Sequence, residues 1–327
     1  MTEHTDPHAP IVHEFTADGP VDADLRTLRG DVVLRAEPGS ALRVELRPLD
    51  RAGRELAERM QVRFDRQRLV VDHPEGEAQD LGDLLEQVTS GEGSWSERLS
   101  RGLRAATRGA TGWAGQLDLV VVLPARSRVD LRAGSGDVVV SGALARLGIA
   151  SGAGDIAVER GADESVRVES GAGDISVGPT AGDLRAKSGT GGVVLGPVDG
   201  AAQAATGAGD IVLGPVGGSI AATTGAGDVD LAELSGEATI TTCTGDITVR
   251  LARSGLLRAR SGVGDVTVHV APGTATRVDL ATGLGERDVR LAPVDGAGEA
   301  ERTLVVEGRT AKGDLRVLRA ETESARR

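Results

Sequence analysis

Between residues 134 and 282 short runs of alternating apolar and polar positions recur, each led by Gly, any residue, Gly and Asp. The phrases are GSGDVVV at Gly134, GAGDIAV at Gly152, GAGDISV at Gly171, GTGGVVL at Gly189, GAGDIVL at Gly207, GAGDVDL at Gly225, CTGDITV at Cys243 and GVGDVTV at Gly262. Their fourth positions, Asp137, Asp155, Asp174, Gly192, Asp210, Asp228, Asp246 and Asp265, are separated by 18, 19, 18, 18, 18, 18 and 19 residues. A fixed period just under twenty is a solenoid signature. Each unit carries two period-two segments. One follows the phrase, with apolar pairs such as Ile211/Leu213, and one precedes a closing Ser or Thr, with pairs such as Ile220/Ala222. Alternate residues share one face of a strand, so each unit predicts one coil of two strands.

Two short strands enclose nothing. A coil therefore buries its apolar face only when stacked on copies of itself, each strand pairing in parallel with those above and below. The predicted fold is all-β: a parallel β-solenoid (β-helix) with about 18 residues per coil, right-handed by the crossover rule. At about 4.8 Å per coil, the eight coils would stack to a length on the order of 38 Å. Each buried Val, Ile or Leu contributes roughly 1.5–3 kcal/mol. The Ala202/Ala204 pair of the fourth coil offers less and marks a thin spot. The Gly before Asp is present in every phrase and is the one expected at positive φ. The first Gly position holds Cys243 in one phrase and cannot strictly require it.

The flanks are less regular. Residues 1–10 read as a disordered start, and 11–75 as degenerate coils that cap the stack and hide its first open edge. There the run LRGDVVL resembles a coil phrase, which makes Arg29-Gly30-Asp31 a corner rather than an adhesion tripeptide. Residues 76–112 break the β pattern and predict a short helical insertion. Leu81, Leu84, Leu85 and Val88 have helical spacing, and Trp95, Leu99 and Leu103 lie four apart beside Arg98, Arg101, Arg104 and Arg108. Trp and Arg are enriched in binding hot spots. Trp95, Arg98, Leu99, Arg101, Leu103 and Arg104 are therefore the partner-binding candidates, for a protein partner, self-association or peripheral membrane contact. Packing back onto the solenoid is the structural alternative. Residues 113–282 form the regular solenoid, 283–320 irregular C-terminal coils or cap, and 321–327 a frayed tail.

Charge narrows the partners. A net charge of −12 and pI near 5.0 oppose non-specific nucleic-acid binding, which needs a basic field. The first residues are acidic and polar, unlike a signal peptide, and the longest apolar run nearby, 119–123, is five residues. With a single cysteine, these features predict a cytoplasmic protein.

The Ser-Gly-x-Gly-Asp-Val phrases, the lead-in strand DLVVVLPARSRVDLRAGSGDVVVSG and the closing TAKGDLRVLRA after a TGLG element carry a resemblance. From about Ile11 to Ala320 the chain resembles the bacterial putative-adhesin family of β-strand-repeat proteins, a domain of unknown function. The resemblance implies a parallel β-solenoid and an adhesion role inferred from shape, and brings no catalytic or binding residue. The helical insertion and the acidic start depart from an exported adhesin.

The Asp column is the one repeated ionisable feature. Carboxylates about 4.8 Å apart repel by roughly 1 kcal/mol per pair in water, and nearer 3.5 at an effective dielectric of 20. Hydrogen bonds from main-chain N–H groups of each corner would offset this. A cation would too, and Asp210, Asp228 and Asp246 are the candidates for a calcium β-roll. Those repeats, however, set Asp two residues after Gly, where this chain has Ile156, Ile175 or Ile211. A glycan-cleaving β-helix would use carboxylates on adjacent coils as a catalytic pair. Against it, the Asp recurs at nearly every corner, and the repeat region lacks aromatic residues to stack a sugar. Cys243 has no His in its own or a neighbouring phrase, His269 being one to two coils away. The closing column Ser151, Ser170, Ser188, Thr206, Thr224, Thr242, Ser261 and Thr282 reads as outward, bonding across strands. The resulting expectation is a non-enzymatic scaffold or protein-interaction module with no catalytic residue, metal or cofactor. A surface adhesin, a calcium β-roll and a glycan-active enzyme are the alternatives.

Overall fold

The computed structural model describes residues 8–73, 115–291 and 302–320. The chain divides into two compact units, 1–177 and 178–327. Each is a parallel β-solenoid built from the coils that the period predicts. Among the described residues no helix is long and apolar enough to cross a membrane.

In the first unit Arg128–Ser135, Arg146–Ala153 and Ser165–Ala172 stack in parallel in one sheet, and Val138–Gly142, Ile156–Val158 and Ile175–Val177 in the other. The alternation that defines these strands also makes the core: Val129, Leu131, Leu147, Ile149, Val138, Val140 and Ile156 are at most 2% exposed. The LRGDVVL run is a true coil. Its strands Asp22–Arg29 and Val32–Glu37 pair in parallel with Arg128–Ser135 and Val138–Gly142, across about a hundred residues of sequence. Beyond it the stacking direction reverses. Val32–Glu37 pairs with Leu117–Pro124, which runs antiparallel to Ala41–Pro48, and that strand runs antiparallel to Ile11–Thr16. In the other sheet Arg68–Asp72 runs antiparallel to the outermost strand Gln61–Asp65. Phe15 and Phe64, one on each outermost strand, meet with ring centroids 5.5 Å apart and join the two sheets over the end of the core.

The alternating segments of residues 11–71 predict degenerate coils with longer corners, and one of those corners is a helix, Arg51–Arg59. The Asp50 carboxylate caps it, accepting the Gly53 N–H at 2.5 Å, while Leu56 and Ala57 are buried. The insertion expected at 76–112 lies outside the described residues, as do the tail 321–327 and all of the expected disordered start but residues 8–10.

In the second unit one sheet runs Asp183–Thr190, Ala202–Ala208, Ile220–Ala226, Glu237–Thr244 and Gly255–Val263. The facing sheet runs Val193–Leu195, Ile211–Leu213, Val229–Leu231, Ile247–Ala252 and Val266–Val270. A third column was not anticipated: Thr180, Val198, Val216, Leu234 and Ala252 form successive parallel bridges, and their side chains are buried. Each of these coils thus has three sides rather than two. The final coil of the chain, Arg302–Lys312 with Leu315–Arg319, inserts between the coil of 255–270 and the coil of Thr274–Leu284 with Arg287–Arg290. The outermost strands of this unit therefore come from residues 274–290, not from the end of the chain.

Candidate functional site

The corners of the coils hold the repeated chemistry. Gly227 has φ +144°, and a Cβ there would fall 2.1 Å from the Gly209 carbonyl oxygen, so the Gly before Asp is demanded both by conformation and by the neighbouring coil. The carboxylate that follows does not bond its own corner, as its residue type suggested, but the next one. In the first unit the N–H groups of Asp31, Asp137, Asp155 and Asp174 donate to Oδ1 of Asp118, Asp31, Asp137 and Asp155 at 2.8–2.9 Å. In the second unit Asp228, Asp246, Asp265 and Asp314 donate in the same way to Asp210, Asp228, Asp246 and Asp265 at 2.7–2.8 Å. Glu286 closes the series on Asp314 at 2.9 Å. This N–H bond, helped by the Arg316 guanidinium, holds the Asp314 carboxyl below the usual range.

Each corner carboxylate thus links coils through one oxygen. Asp210, Asp228 and Asp246, the cation candidates, all belong to this ladder. Among the described residues no group of three or more His, Cys, Asp or Glu side chains is arranged to hold a metal. Asp31 occupies the same place, so Arg29-Gly30-Asp31 is a ladder corner, with Gly30 at φ +124°. It lines an open groove of about 480 Å³ with Leu49, Gln116 and Asp118.

The hydroxyl column requires a correction. Expected to face outward, Ser151, Ser170, Ser188, Thr206, Thr224, Thr242 and Ser261 are instead at most 6% exposed. Thr206, Thr224 and Thr242 donate to the carbonyls of Gly191, Gly209 and Gly227 at 2.9–3.2 Å. Those glycines have positive φ, and the hydroxyls satisfy carbonyls that the tight corner turns inward. Cys243 is free and exposed, and His269 is half-buried on Val266–Val270.

The six partner-binding candidates from Trp95 to Arg104 lie outside the described residues. A surface that the pattern did not single out is the outermost coil of the second unit. Val278 and Leu280 continue columns that are buried in every inner coil, yet here they are half-exposed; Val289 is 48% and Leu284 70% exposed. The lengthened period after Thr282 was the available signal, but it says only that stacking becomes irregular, not which coil ends outermost.

A family model described as Toastrack DUF4097 matches residues 51–321. No curated protein matches the chain. Among solved structures, a putative lipid binding protein from Parabacteroides distasonis is similar at 12% identity and TM-score 0.41, covering 93% of this chain and 96% of its own. A putative adhesin from Bacteroides fragilis is similar at 12% identity and TM-score 0.37, covering 95% and 97%. A putative adhesin from Parabacteroides distasonis is similar at 8% identity and TM-score 0.34, covering 94% and 97%.

Proposed function

The chain belongs to the Toastrack DUF4097 family, and from that premise we propose that it is a non-catalytic β-solenoid scaffold that works by binding a protein partner or further copies of itself. The observation that supports this reading is the use made of the repeated polar residues. The aspartates accept main-chain N–H groups of adjacent coils, and the buried hydroxyls donate to corner carbonyls. What recurs along the chain therefore builds the corners, and Asp314, whose carboxyl departs from the usual range, is held down by the Glu286 N–H and Arg316 rather than raised as a catalytic acid would be. The free, exposed Cys243 suits a reducing compartment, and the proposal sets the protein in the cytoplasm.

The test is a screen of the full chain against neutral and acidic polysaccharides, read by release of reducing ends. No turnover above the protein-free blank is expected. Turnover that Asp228→Asn or Asp246→Asn abolishes, while the melting point holds, would overturn the scaffold reading.

A further inference from the structure

We infer that the outermost strand of the second unit, Thr274–Leu284, is a self-complementary edge that pairs antiparallel with the same strand of a second copy. This strand is eleven residues long and, among the described residues, pairs with a strand on one side only, Arg302–Lys312. Among the described residues no strand covers the other side.

The direction of its main-chain groups follows from the inner coils. Leu184 N–H donates to the Ala201 carbonyl and Ala202 N–H to the Ser219 carbonyl, so residues at this place in a coil turn toward the next strand. The register carries that place through Ile220, Ala238, Leu257 and Val306 to Val278. Among the described residues no strand follows the outermost one. Val278 therefore holds its N–H and C=O toward the free side, and strand alternation places those of Thr276 and Leu280 alongside, the Leu280 carbonyl accepting from the Arg287 guanidinium at 3.4 Å. A row of main-chain groups with no neighbouring strand among the described residues is a template for strand addition.

Charge selects the register. Antiparallel pairing about a two-fold at Val278 sets Val278 against its own copy in a hydrogen-bonded pair, with Thr276 opposite Leu280. It sets Arg277 opposite Asp279 twice, in the closer, non-hydrogen-bonded pairs. A two-fold at Arg277 or Asp279 would instead oppose like charges, and one at Leu280 would leave Arg277 opposite Gly283. Both charged side chains are exposed; Arg277 makes no ion pair among the described residues, and Asp279 meets Arg309 at 3.0 Å on its own chain. In the same register the half-exposed Val278 and Leu280 of both copies fall on one face, so joining the edges continues the apolar column that each unit leaves open. A two-fold contact of this kind uses one edge of each copy and closes at two, giving a dimer and no filament.

The inference rests on the scaffold reading for its purpose but not for its test, since association can fail while the polysaccharide screen stays negative, and the reverse. Sedimentation velocity on the full chain, from sub-micromolar to tens of micromolar, should show a monomer–dimer equilibrium. Arg277→Asp, which turns both cross-pairs repulsive, should weaken it about tenfold or more, with an unchanged circular dichroism spectrum as the folding control. Arg277→Asp combined with Asp279→Arg restores opposite charges and should recover the dimer. A wild-type chain monomeric throughout would overturn the inference. So would a dimer indifferent to Arg277→Asp, or assemblies larger than two.

Discussion

The outermost strands of the first unit are six and five residues long, antiparallel to their neighbours, and joined across the two sheets by Phe15 and Phe64. Those of the second unit are eleven and four residues long, parallel to their neighbours, and leave Val278, Leu280 and Val289 partly in water. The difference shows what a coil cannot do for itself. Each coil is completed by the one after it, through a parallel strand and an apolar pair, so the last repeat of a stack always lacks a neighbour. Termination needs residues outside the repeat. The first unit has them in a helix capped by Asp50, two antiparallel strands and the only two phenylalanines of the chain. Among the described residues the second unit ends on a coil of the ordinary kind.

The sharpest way to break this comparison is to remove the same side chain from both places. Leu46 lies fully buried in the antiparallel strand of the first unit, and Leu46→Ala should cost about 2–5 kcal/mol in urea unfolding. Leu280 occupies an equivalent inward position but half in water, and Leu280→Ala in dilute protein should cost roughly 1 kcal/mol or less. Equal losses would mean that the second unit's edge is as closed as the first.

Corners offer a second contrast. Gly227→Ala forces a side chain to positive φ and into the Gly209 carbonyl, with an expected loss of at least about 1–3 kcal/mol. Gly39 also has positive φ, 129°, but a Cβ there would meet nothing within 4 Å, so Gly39→Ala should lower the melting temperature distinctly less.

Much of this was readable from the chain. Periodicity located the coils, and the invariance of the Gly before Asp, against Cys243 at the first position, identified the glycine that sits at positive φ. Other features were hidden for physical reasons. The third bridge contributes one apolar residue per coil, as Val198 and Val216 after Gly-Pro, too short a signal for any alternation. The hydroxyls were placed outward because Ser and Thr are polar, whereas carbonyls at the corners require a buried donor. The helix Arg51–Arg59 is announced by Asp50 and little else, since only two apolar residues of its nine, Leu56 and Ala57, face the core. The position of the 302–319 coil inside that of 274–290 reverses the order of the chain, which no local pattern encodes. For that reason the free edge was not legible as a site, and the sequence pattern pointed instead to Trp95 and its arginines, which lie outside the described residues.

Smaller effects refine the role of the ladder. Asp228→Asn keeps an oxygen that can accept the Asp246 N–H and removes a like charge from the column, so it should be nearly neutral, and Asp228→Ala should cost about 1 kcal/mol. Millimolar calcium should accordingly move the melting temperature little. A rise of several degrees that is absent in the Asp210, Asp228 and Asp246 to Asn triple variant would show that a cation bridges the column.

Acid should act on the same elements with a defined sign. Asp314 in the folded chain titrates below its unfolded value, first because the Glu286 N–H bonds the charged form. Its contribution is present above the unfolded carboxylate range and is lost as pH falls through the lower folded value. Glu45, held down by its bond to Arg47 in the first unit, behaves alike. Melting temperature should therefore fall with acidification through this window. Replacing Arg316 by Gln should shift the fall upward in pH for the second unit's outer coils, by a modest amount because both groups are partly open to solvent.

Hydrogen exchange at two protein concentrations tests the contrast most directly, because it reads both outermost strands in one sample. Amides of Thr274–Leu284 should gain protection as concentration rises through the dimerisation range, while those of Ile11–Thr16 should exchange at the same rate throughout. Protection of Thr274–Leu284 that is already complete in the dilute sample, or a concentration dependence confined to Ile11–Thr16, would contradict the account.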